Sequence, residues 1–192
     1  MANVDAAFGF RPINYDGSAF SGGTLRCVFL ATTGTATFIG DAVKLDGNSS
    51  EGAASLAQAA ATNPVYGVVV AFEADPNDLS LQFRKATTKR FCQVAVADKN
   101  YFEVQSDSDN VNDLTEADVG LNADFVVGTG DTVYGMSANE INTSAVATTT
   151  SLDMQIVGLV IRADNLLSGT GSDHKNAIIR FIVPQQRQFL GI

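Results

Sequence analysis

Hydrophobic side chains in this chain recur with a period of two, the alternation of a β-strand, rather than the 3.6 of a helix. In residues 25–30 one face carries Leu25, Cys27 and Phe29, and in 66–72 one face carries Tyr66, Val68, Val70 and Phe72. Residues 91–96 present Cys92, Val94 and Val96 together, and 177–183 present Ala177, Ile179, Phe181 and Val183 opposite Arg180. Pro184 then stops the ladder, because it has no N–H to donate. Residues 154–161 are apolar on both sides, which predicts a central strand. Residues 125–127 and 132–134 flank Gly128-Thr-Gly-Asp131 and predict a hairpin with glycines at positive φ. Helix signals are few. Residues 55–61 have good helix propensity, but the run is short and sits between a turn and a strand, so helix and non-helix stay equally open. Residues 114–120 predict one helical turn, with Thr115 as cap, Glu116 and Asp118 at its N-terminal dipole and Gly120 as stop. Residues 46–52 and 168–173 read as exposed loops.

Short strands and glycine-rich turns predict a mainly β chain: a single antiparallel β-barrel or sandwich domain over 23–184, with an extended N-terminal arm (1–22) and a C-terminal tail (185–192). The arm carries Phe8 and Phe10, and Gly9 and Pro12 discourage helix there. The tail carries Phe189 and Leu190. Such rings bury against a neighbouring subunit or fold back onto their own domain. Residues 1–12 lack the basic start and unbroken apolar run of a secretory signal, and are too short and polar for a membrane span.

Composition narrows the function classes. The 192 residues carry a net charge of −9, which argues against a nucleic-acid groove built on clustered Lys and Arg. Two cysteines, Cys27 and Cys92, both in predicted strands, read as buried free thiols made in a reducing cytoplasm. The lone histidine, His174, reads as a solvated loop residue. With Ser172 and Asp173 contiguous to it, no triad geometry is available, and one histidine with two separated cysteines predicts no zinc site. Ser172-Asp-His-Lys175 and Ser108-Asp-Asn110 imitate elements of penicillin-recognising enzymes in the wrong order and without the third element. Gly128-Thr-Gly130 and Gly169-Thr-Gly171 lack the remaining residues of phosphate cradles. Residues 103–118 are acidic, and Asp107-Ser-Asp-Asn110 is oxygen-rich, but Val111 falls where a calcium loop needs a ligand and Asn112 replaces its turn glycine, which leaves a solvated acidic loop or an irregular cation site. The chain therefore predicts no enzyme, no cofactor and no catalytic residue. Arg84, Lys85, Lys89 and Arg90 form a basic run. It reads either as an ordinary hairpin tip or as a patch meeting an acidic surface, such as 103–118 of another copy.

Residues 7–12, Ala-Phe-Gly-Phe-Arg-Pro, resemble the start of the capsid decoration, or cement, proteins of tailed bacteriophages. The resemblance recurs at Gly40-Asp-Ala-Val43, Gly67-Val-Val-Val70, 118–124 (Asp-Val-Gly-Leu-Asn-Ala-Asp) and 159–165 (Leu-Val-Ile-Arg-Ala-Asp-Asn). It implies a non-enzymatic virion protein that binds the outside of the phage head. Its partner would be the major capsid protein, and its assembly a homo-oligomer, commonly a trimer. Phe8, Phe10, Arg11, Phe189 and Leu190 are the expected anchors, because aromatics and Arg are over-represented at binding hot spots. Other virion parts, a tail or head–tail connector protein, and a β-barrel binding a small apolar ligand are the alternatives.

Overall fold

The computed structural model describes residues 3–107, 113–168 and 173–187. Eleven strands account for nearly all of its regular structure: β1 (Arg11–Ile13), β2 (Leu25–Phe29), β3 (Ala42–Ser50), β4 (Ala53–Gln58), β5 (Gly67–Phe72), β6 (Arg90–Val96), β7 (Tyr101–Gln105), β8 (Asn122–Val126), β9 (Glu140–Ala147), β10 (Met154–Leu159) and β11 (Asn176–Phe181). Strands β2-β4-β3-β5-β6 close into a barrel, and β1-β7-β11-β10-β8-β9 form a six-stranded sheet. The chain is thus mainly β, as its alternation predicts. Every pairing in the larger sheet is antiparallel, whereas β2 and β4 pair in parallel in the barrel.

Period-two alternation gives each shared strand two buried faces, and hence two cores. Along β3, β5 and β6, the side chains of Ala42, Val68 and Ala95 join a large core against the six-stranded sheet. Their neighbours Val43, Val69 and Val94 join Cys27, Phe29, Leu56 and Cys92 in the smaller cluster of the barrel. A register shift between Val69 and Ala71 reverses this parity within β5. Val68 and Val70 therefore face the large core while Phe72 packs into the barrel cluster, which corrects the expectation of one shared face. Both cysteines are free and buried, as expected, and Cys27 stands directly opposite Cys92. Burial pushes the Cys27 thiol up to about 11 and the Cys92 thiol above the reactive range.

Of residues 55–61, where the sequence leaves helix and non-helix equally open, 55–58 form the end of β4 and 59–61 leave it without helix. Ser50 pairs with Ala53 across Glu51 and Gly52, whose φ values are 52° and 76°. Two positive φ values in a two-residue loop make the primed turn that returns a strand on its neighbour. Strand β3 therefore runs through most of the region expected to be the loop 46–52. The single turn at Glu116–Asp118 forms as expected. The Asp118 carboxylate accepts from the Thr115 amide at 2.7 Å and its hydroxyl at 2.9 Å, and Gly120 has φ 93°. Strand β10 is central, between β11 and β8.

The expected hairpin at 125–134 does not form. Strand β8 pairs with β10 on one side and β9 on the other, and residues 131–134 instead make a turn in which the Asp131 carboxylate accepts from the Val133 amide at 2.7 Å. Gly128 and Gly130 are absent from the positive-φ residues. They are glycine for lack of room, since a Cβ at Gly128 would strike the Ala138 carbonyl and one at Gly130 the Phe38 ring.

Candidate functional site

The N-terminal segment is built into the molecule. Phe10 is 1% exposed and meets Phe102, Phe125 and Phe181 edge-on, at centroid distances of 6.5, 5.5 and 5.2 Å. Its amide donates to the Gly40 carbonyl at 2.9 Å, and β1 follows as an edge strand on β7. Phe10 is therefore a core residue of its own domain, not a surface anchor. Gly9 lets the chain enter this position. Its φ is 72°, and a Cβ there would lie 2.5 Å from that of Ser137. Beneath the crossing sits Asp41, 1% exposed. It accepts from the Ser137 hydroxyl at 2.6 Å, the Phe38 amide at 2.8 Å and the Gln58 amide group at 3.1 Å. Desolvation raises its carboxyl to about 6, and these three donors hold it back from rising further.

Phe8 and Arg11 remain at the surface. The Arg11 guanidinium lies 4.4 Å from the Phe8 ring centroid and 3.8 Å from the Glu103 carboxylate. Glu103, only 4% exposed, also meets Arg162 at 2.8 Å. Phe8, Arg11 and Arg162, with Val4 and Gln105, line a groove of about 330 Å³.

The basic run divides by direction. Lys85 and Lys89 face solvent beside Asp78 (3.8 Å) and Glu51 (2.5 Å). Arg84 and Arg90 point inward, 0% and 6% exposed. The Arg84 guanidinium donates to the carbonyls of Thr88 (2.9 Å), Thr35 (2.6 Å), Leu30 (2.8 Å) and Thr33 (2.8 Å). Burial lowers its pKa to about 10, so it stays charged at neutral pH. Arg90 donates to the carbonyls of Glu73 (2.9 Å), Phe83 and Leu81 (2.8 Å). Both arginines tie loops together, which corrects their assignment to an interface. The acidic segment expected opposite them is also engaged internally. Asp107 accepts from the Thr143 hydroxyl at 2.7 Å, Asp113 pairs with Lys175, and Asp118 caps Thr115. Phe189, Leu190, Ser172 and residues 108–112 lie outside the described residues.

His174 is the residue that the sequence placed least well. Its side chain is 23% exposed, and Nδ1 lies 3.9 Å from the Asp5 carboxylate. Glu140, the first residue of β9, is the third member, and the three groups bring one ligand atom each within 4.8 Å of one another. Burial, reinforced by Asp5 and Asp107, raises the Glu140 carboxyl to about 7. Gln105 organises the cluster. Its Nε2 donates to the carbonyls of Val4 (2.9 Å) and His174 (3.1 Å), and its Oε1 accepts from the Ala6 amide at 2.9 Å. Asn3 adds bonds to the carbonyls of Leu166 (3.0 Å) and Asp173 (2.8 Å). No spacing rule finds this cluster, because its members come from three distant segments.

Comparison with protein-family models, curated proteins and solved structures returns no match.

Proposed function

We propose that this chain is a structural virion protein that binds the outside of a tailed-phage head and stabilises it by bridging subunits of the major capsid protein. The observation that carries the reading is that the stretches resembling cement proteins coincide with positions the fold cannot exchange. Gly9 and Gly40 stand at positive φ in the crossing above Asp41. Gly67 has the Ala95 carbonyl where a Cβ would go. Asn122 donates to the Thr149 carbonyl at 2.9 Å. Asn165, 3% exposed, donates to the carbonyls of Val160 (2.7 Å) and Asn176 (3.0 Å). Shared residues of this kind report a shared scaffold rather than a shared reaction, which is the likeness expected between structural proteins.

The surface suits bridging. Large apolar side chains stand exposed on loops from both sheets: Leu79 at 83%, Val133 at 74%, Tyr134 at 68% and Ile161 at 89%. A protein that reinforces a shell buries such groups on two or more subunits, with an interface of about 1,600 Å² being ordinary. With Phe10, Arg84 and Arg90 internal, the remaining contact candidates among the described residues are Phe8, Arg11, Lys85 and Lys89.

The test is add-back. Purified protein is mixed with phage heads that lack it, pelleted, and imaged by electron microscopy. The expected result is saturable binding at repeated positions on the outer surface, with raised resistance of the heads to heat. No binding, together with absence of the protein from intact virions, would end the proposal.

A further inference from the structure

We propose that Asp5, Glu140 and His174 form a site for a divalent first-row transition ion that fastens the N-terminal segment to the end of the six-stranded sheet. The donor set is one imidazole nitrogen and two carboxylates, which together balance a divalent charge. Imidazole favours ions such as Zn²⁺ over Mg²⁺ and Ca²⁺, which prefer all-oxygen shells. The ligand atoms already lie within 4.8 Å of one another, and the Asp5–His174 pair is at 3.9 Å. Tetrahedral zinc with bonds of about 2.0–2.1 Å needs separations of roughly 3.3 Å. Asp5 has freedom to supply that closure, because its side chain is 71% exposed.

Two orphaned atoms point to a ligand independently of the clustering. Glu140 Oε1 and His174 Nδ1 are both buried and have no hydrogen-bond partner. Buried polar atoms without partners are rare and costly. A cation between them would satisfy both. The nearest lysine in sequence, Lys175, is committed to Asp113 and does not neutralise the cluster. Gln105 would act from behind, holding the backbone on both sides of Asp5 and at His174. Outer partners of this kind orient metal ligands. Because Asp5, Glu140 and His174 belong to three separate segments, a bound ion is a cross-link.

Tag-free full-length protein, stripped with chelator and dialysed, is titrated with ZnCl₂ by calorimetry, with MgCl₂ and CaCl₂ in parallel. The expected result is one equivalent of Zn²⁺ bound, a melting temperature raised by roughly 5–10 °C at a hundredfold excess over Kd, and slowed hydrogen exchange over residues 3–8. Asp5→Asn, at an exposed position that cannot unfold the domain, should weaken zinc binding about 10-fold or more. Glu140→Gln and His174→Asn should weaken it about 100-fold while keeping the β-type circular dichroism. Asn tolerates the left-handed backbone at position 174, where φ is 52°. Absence of stoichiometric uptake would overturn the assignment. So would undiminished uptake in all three variants, or equal binding of Mg²⁺ or Ca²⁺.

Discussion

Replacing Arg84 by Met tests whether the basic run belongs to the fold or to a binding surface. The guanidinium makes four bonds to backbone carbonyls, and bonds to a charged donor contribute about 1.5–3 kcal/mol each. Against this stands the desolvation that lowers its pKa from 12.5 to about 10, worth roughly 3 kcal/mol at 1.36 kcal/mol for each pKa unit. The carbonyls belong to half-buried and exposed residues such as Thr33 and Thr35. Water therefore recovers part of the loss, and the expected net cost is about 3–5 kcal/mol, from four carbonyls left without their donor. For a chain of this size that lowers the melting temperature by about 10 °C or more. Thermal unfolding followed by circular dichroism at pH 7 measures it, with Lys85→Ala as a surface control that should move by no more than about 2 °C. Arg84→Lys should recover little, because a single ammonium cannot span four carbonyls. An Arg84→Met protein that melts within 2 °C of the parent would refute the structural role and return Arg84 to the candidate interface.

Phe10→Ala should cost about 3–5 kcal/mol in chemical denaturation, since it empties the centre of a four-ring cluster. By the same reasoning, deleting residues 2–12 damages folding and not only attachment, and a fully stable deletion protein would contradict this. The raised carboxyl of Asp41 makes a pH prediction. Its folded pKa of about 6 lies above the ordinary 3.8, so the folded state binds the proton more tightly, and this group's contribution falls as pH rises from about 4 to 6. Asp41→Asn lacks that titration. Relative to the parent it should gain roughly 3 kcal/mol between pH 4 and pH 7 in urea unfolding, and parallel stability curves for the two proteins would refute it. Lys85→Glu with Lys89→Glu should leave the melting temperature within about 2 °C, because exposed ion pairs contribute little. If this surface meets the capsid, the double variant should weaken head binding at low salt. Unchanged binding at low and high salt would remove the patch from the interface.

Alternation, turn residues and capping are local properties, and they determined much of this protein. Strands β2, β5, β6, β10 and β11, the cap at Thr115 and the free buried thiols follow from residues a few positions apart. Partner choice is not local. Nothing within residues 125–134 says that the strand returning beside β8 begins at Glu140, or that Gly128 and Gly130 are spared a side chain by Ala138 and Phe38. Equally, Val68 and Val69 are both apolar, and only the packing of barrel against sheet assigns one to each core. Charge told the least. Arg84 and Lys85 are adjacent and alike in sequence, yet one is the keystone of four loop carbonyls and the other is solvated. A guanidinium is buried wherever enough acceptors converge, and that convergence comes from Leu30, Thr33, Thr35 and Thr88 together. The same holds for positions 5, 140 and 174. Each is an ordinary polar residue in the sequence. The tertiary structure makes them a cluster by folding the N-terminal segment, the start of β9 and the approach to β11 onto one end of the sheet.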